Sequence, residues 1–137
     1  MKNIDKFDIY SGKILALLLE NFPITIDIEI MRDVIKDENA IQKEREFVYH
    51  TIQALKEYGF ITYKSYTMDG ELFIGVRLTL KALEVLKATP QSLGGKTIGD
   101  KIADSVKLAK DESIKSGVGL AFSQGYALIS EAFKGAL

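Results

Sequence analysis

Residues 54–86 read ALKEYGFITYKSYTMDGELFIGVRLTLKALEVL, and this stretch decides the fold. It runs from a helix end through a strand, a tight turn and a second strand into a capped helix. Gly59 suits the left-handed conformation that closes helices. Ile61 and Tyr63 then point one way while Thr62, Lys64 and Tyr66 point the other, as the two-residue period of a strand requires. Asp69-Gly70 makes the turn, because glycine readily adopts the positive φ of short hairpin loops. Across the hairpin, strict alternation puts Ile74, Val76 and Leu78 inside and Phe73 and Arg77 outside. Thr79 caps a helix whose Leu80, Leu83 and Leu86 return to the core, and Thr89-Pro90 ends it.

Upstream, Phe7, Tyr10, Ile14, Leu17 and Leu18 recur at three- and four-residue steps, predicting a core-facing helix over 6–21 that Pro23 stops. ITIDIEI (24–30) alternates as a strand does, yet Ile28, Met31 and Ile35 also share a helical face. Splitting the segment resolves the conflict: a short strand over 24–26, Asp27 as an N-cap and a short helix over 28–36. A third helix is expected over 40–58, with Phe47, Val48, Ile52 and Leu55 as its buried stripe. Gln42, Arg45, Glu46, Tyr49, Gln53 and Lys56 share the opposite face.

The order helix, strand, helix, helix, strand, hairpin turn, strand, helix resembles the winged helix-turn-helix superfamily, and LKEYGFI, DGE and VRLTLKALEVL are similar to segments of its bacterial members. The resemblance covers residues 5–89. It implies a third helix in the major groove, a hairpin or wing touching phosphate or the minor groove, and dimers reading paired half-sites. Carried onto this sequence, Gln42, Lys43, Arg45, Tyr49 and Gln53 would face double-stranded DNA from the helix, and Lys64, Tyr66 and Arg77 from the wing. Arginine offers a fork to guanine and glutamine a pair of bonds to adenine. Glu44 and Glu46 in the first turns of the helix, and Asp69 and Glu71 at the wing tip, depart from a strongly DNA-binding pattern.

Charge points neither way. The 137 residues carry 18 Lys plus Arg against 19 Asp plus Glu, a net charge of −1, so no basic domain stands out. A helix face of mixed Gln, Arg, Glu, Tyr and Lys is also what any solvated helix shows. Phe73 and Tyr66 on the outer wing fit either a partner or packing on the rest of the chain.

After residue 90, the segment 91–96 with the glycines of SLGGK reads as a linker, and 97–137 as a helical extension. Ile98, Ile102, Val106 and Ala109 form one stripe, while Gly117, Ala121 and Gly125 recur every four residues beside Val118, Phe122, Ile129, Ala132 and Phe133. Small residues in a row let another helix approach closely. The extension is expected to pack on the first 90 residues or on a second copy, with Ile102, Val106, Gly117, Ala121, Phe122, Gly125, Ile129 and Phe133 as the homodimer interface. Membrane-surface binding, a transmembrane span and partial disorder are the competing readings. A span is opposed by Gln124, Glu131 and Lys134, and surface binding by the lack of a Lys/Arg cluster.

No catalytic constellation emerges. There is no cysteine, and nothing near the one histidine, His50, suggests serine-histidine-acid chemistry. GGKT after Gly94 departs from the phosphate-loop spacing and follows no strand. Asp100 and Asp104 share a helix face without a third ligand, so no metal site or cofactor is expected. No apolar signal core is visible in MKNIDKFDIY, which points to the cytoplasm. The expectation is a mostly helical α+β protein: a winged helix domain over 1–90, a linker and a helical extension. It would be a non-enzymatic, homodimeric DNA-binding transcription regulator. A winged-helix module that binds protein without touching DNA is the alternative.

Overall fold

The computed structural model describes the backbone of residues 1–135 and the side chains of residues 1–127. Helix α1 spans Asn3–Asn21, strand β1 Ile26–Glu29, and one π-helical segment Ile30–Ile35. Helix α2 covers Gln42–Glu57; strands β2, β3 and β4 cover Ile61–Thr62, Ser65–Tyr66 and Leu72–Leu78. Helices α3 (Leu80–Lys87), α4 (Ile98–Lys107) and α5 (Asp111–Gly135) follow. The fold is α+β and mostly helical, with one small antiparallel sheet in which β4 pairs with β1, β2 and β3.

The β4 register corrects the alternation expected for the hairpin. Ile26 faces Val76 and Ile28 faces Phe73, so two steps on β1 match three on β4. The extra residue is a β-bulge at Gly75, whose φ is +67°. A bulge switches the side-chain parity, so Phe73 is fully buried and Ile74 is on the surface, the reverse of the expected arrangement. Burying Phe73 is worth about 2 kcal/mol of apolar transfer. Asp27 belongs to this device: its Oδ1 accepts the Gly75 amide at 3.0 Å. It therefore does not cap a helix. Strand β1 runs on to Glu29, which is the N-cap of the π-helical segment without a side-chain cap bond, and Asp33 inside the segment accepts the Glu29 amide at 2.8 Å.

The helix ends obey local chemistry. At the end of α2, Phe60 N–H donates to Leu55 and Gly59 N–H to Lys56, with Gly59 at φ +78°. Thr79 caps α3 by accepting the Ala82 amide at 3.1 Å, as expected. The core residues of α3 are Ala82, Val85 and Leu86, however, and Leu80 stands in solvent because it is the first residue beyond the cap. The C-terminal tract is also not one helix. It breaks between α4 and α5, where Lys110 N–H donates to Ser105, Ala109 N–H to Val106, and Ala109 takes φ +53°.

Helices α4 and α5 pack on α1, opposite the sheet and α2, and share one core with them. This placement explains why α1 buries Ile9, Ser11, Gly12 and Leu15 along with Ile14 and Leu18, a wider arc than a single stripe. Small residues set the approach. A Cβ on Gly12 would overlap Cγ2 of Ile114, one on Gly117 would lie 2.7 Å from Ile102, and one on Gly125 3.0 Å from Phe60. Ile102, Gly117, Ala121 and Gly125 are thus enclosed within the chain, and Val106 and Phe122 half-enclosed. Phe122 stacks on Phe7 and meets Phe60 edge-on. Ile129 and Phe133 lie outside the described residues. No described helix is long and apolar enough to cross a membrane.

Candidate functional site

Gln42 and Lys43 start the outer face of α2 in solvent, and Gln53 is half-exposed about three turns further on. The β3–β4 hairpin stands beside this face. Its approach is fixed by an aromatic cluster: the ring centroid of Tyr49 on α2 lies 5.5 Å from that of Tyr66 and 5.7 Å from that of Phe73. Tyr63 joins edge-on to Phe73 at 5.1 Å, and the Lys56 ammonium sits 4.1 Å above the Tyr63 ring. Gly70 fits against Tyr49 so closely that a Cβ would lie 2.9 Å from its ring. At the turn, Asp69 accepts from the Thr67 hydroxyl at 2.6 Å and from the Glu71 amide at 3.1 Å, in that order the causes that hold its carboxyl below the usual range.

These contacts sort the expected DNA-facing residues into two groups. Arg45 is a clamp: its Nε lies 2.7 Å from Glu71 Oε1 and its Nη1 donates to the Ala40 carbonyl at 3.1 Å. It ties the start of α2 to the hairpin tip and to the preceding loop. Tyr49 is likewise committed to the cluster, its hydroxyl accepting from Gln53 Nε2 at 2.7 Å. Its phenol is pushed up, first by the Tyr66 hydroxyl and then by desolvation. Burial, ahead of the Tyr66 charge, pushes the Tyr63 phenol up as well. Gln42, Lys43, Lys64 and Arg77 remain exposed, with Tyr66 at the cluster's edge. Arg77 lies at the hairpin base opposite Thr62, away from the tip.

Between the start of α2 and the hairpin tip runs a polar groove of about 830 Å³. Glu46, His50, Met68 and Glu71 line it together with Arg45 and Tyr49. Met68 is wholly exposed at the tip. The sequence expectation passed over His50 and Met68 as contact residues; the Asp69-Gly70 turn, which folds 68–71 back beside Tyr49, was the signal for both. Behind α2, Glu44 accepts from the Tyr10 hydroxyl and pairs with Lys6 at 3.0 Å, fastening α2 to α1. The Tyr10 bond, ahead of Lys6, lowers the Glu44 carboxyl, while desolvation first and Glu44 second push the Tyr10 phenol up.

Among the described residues no group of three or more His, Asp or Glu is placed to hold a metal ion. Comparison with protein-family models, with curated proteins and with solved structures finds no match.

Proposed function

We propose that residues 3–87 form a winged helix-turn-helix unit that binds double-stranded DNA, with α2 as the reading helix and the β3–β4 hairpin as the wing, and that the protein is a transcriptional regulator. The observation that carries this reading is the free polar face of α2 held rigidly beside a hairpin, while α4 and α5 cover the far side of α1. Gln42 and Lys43 are the side chains offered to base edges and flanking phosphates; Lys56, Lys64 and Arg77 add phosphate contacts. Arg45 acts as a positioning residue through Glu71. Paired half-sites call for a homodimer, and with Ile102, Gly117 and Ala121 enclosed, a second copy has to use outer residues such as Tyr126.

A second reading rests on the groove itself. Glu46 and Asp69 beside the exposed Met68 suit a protein segment carrying a cation and an apolar side chain better than they suit phosphate. Fluorescence anisotropy with duplex fragments separates the two. About four phosphate contacts per protomer give a log K against log salt slope near −3.6. Lys43→Glu with Lys64→Glu should remove binding and leave the circular dichroism unchanged. Absence of duplex binding at low salt sinks the DNA reading and leaves the protein module.

A further inference from the structure

A cavity of about 660 Å³, lined by none of the residues of the α2 groove, opens where α1, the π-helical segment and the α4–α5 junction meet. Its size falls in the range of small-molecule sites. Ala16, Leu17, Ile35, Ala103, Val106 and Ile114 make an apolar floor. The rim is charged: Lys13, Lys36 and Lys107 against Glu20, Asp33 and Asp111. Asp33 is already neutralised by the Arg32 guanidinium at 2.9 Å, which holds its carboxyl below the usual range. None of the three lysines forms an ion pair among the described residues. Three lysines thus stand at the rim outside any ion pair, with Lys36 near enough to Asp33 to help lower its carboxyl and the Lys13 ammonium 5.5 Å from the Tyr10 ring.

Two unusual backbone features converge on the same place. Lys36 and Ala109, the two non-glycine residues with positive φ among the described residues, at +58° and +53°, both line the cavity. Lys36 closes the π-helical segment and Ala109 closes α4, each in a left-handed backbone that a non-glycine residue rarely takes, and backbone strain of this kind gathers at ligand sites. One wall is the π-helical segment, a geometry that is rare and also concentrated at functional sites.

We propose that this cavity is a binding site for a small amphipathic carboxylate, its apolar body seated on the α1–α4 floor and its carboxylate held at the lysine rim. The assignment stands whatever α2 binds. The anion is favoured over a neutral or cationic amphiphile by the three rim lysines that no ion pair engages among the described residues, and its chain is favoured over an inorganic anion by the apolar floor.

The test is amide-resolved NMR of the full chain titrated with sodium decanoate below micelle formation, with decanol as the uncharged match. Saturable shifts confined to the amides of 13–20, 33–36 and 103–114 are expected, with decanol at least roughly tenfold weaker. Lys36→Glu combined with Lys107→Glu, both on the surface, should weaken decanoate by about tenfold or more. Ala103→Phe should fill the floor and abolish the shifts; should that variant unfold, the double lysine variant still decides. Absence of saturation, shifts centred elsewhere, or equal binding of decanol overturns the proposal.

Discussion

On one side of α1 the chain closes with large side chains around a bulged hairpin; on the other it closes with glycines and alanines under two helices. Phe73, Val76 and Leu78 fill the sheet side, and a single left-handed glycine sets which of β4's residues point inward. On the α5 side the branched side chains of Ile102, Ile114 and Val118 seat against the bare backbone of Gly12 and Gly117. The sheet side therefore depends on register, and the helical side on the absence of side-chain volume. The difference also decides what is left over among the described residues: α2 keeps an exposed polar face, whereas α4 and α5 as far as Gly125 turn most of their apolar and small residues into the chain.

The sharpest way to break this contrast is Gly12→Leu. Its side chain would occupy the space of Ile114 and Val118, so a loss of about 3 kcal/mol is expected in urea unfolding. An unchanged midpoint would mean α5 does not rest on α1. Next, Gly75→Val places a branched residue at φ +67° against the Lys64 stem and should cost about 2 kcal/mol. Its hydrogen-exchange signature should be confined to β1, β3 and β4; protection lost evenly across α4 would deny that the two sides are built separately.

The two helix ends give a smaller and paired test. Gly59 and Ala109 close α2 and α4 with the same pair of hydrogen bonds and the same left-handed backbone. Gly59→Ala should lose about 1 kcal/mol, and Ala109→Gly should gain up to about 1 kcal/mol, in thermal melts. Same-sign shifts would refute the equivalence.

The smallest effect is the pH dependence from Glu44, which joins the two sides through α1. Its carboxyl is lowered in the folded protein, so its stabilisation is present at neutral pH, begins to fade below the ordinary glutamate range, and is gone once the pH has fallen through the lowered value. Glu44→Gln should flatten the acid limb of the urea midpoint against pH. Parallel curves for the two proteins would show that the Tyr10 and Lys6 contacts contribute nothing.

The legible parts were those governed by neighbours in sequence. Pro23 ends α1, Gly59 ends α2, Thr79 starts α3 and Gly70 turns the hairpin, each by a conformation or hydrogen bond spanning a few residues. The outer face of α2 followed from its period, which is why Gln42, Glu46 and Lys56 are exposed and Gln53 half-exposed. The clamp role of Arg45 was not legible, because Glu71 is 26 positions away and meets it only once the hairpin folds back on α2. The α4–α5 break was hidden because an alanine, not a glycine, occupies its left-handed position.

Local sequence by itself determined the mostly helical α+β character, most element positions and the polar face of α2, since helical period, caps and turns act over about one turn of chain. Tertiary structure alone decided the inward turn of Phe73, the commitment of Arg45 and Tyr49 to the hairpin, and the closure of α4 and α5 over α1. Each depends on contacts between segments far apart in sequence. A one-residue bulge or a glycine-deep approach changes which side chains meet without leaving a periodic trace.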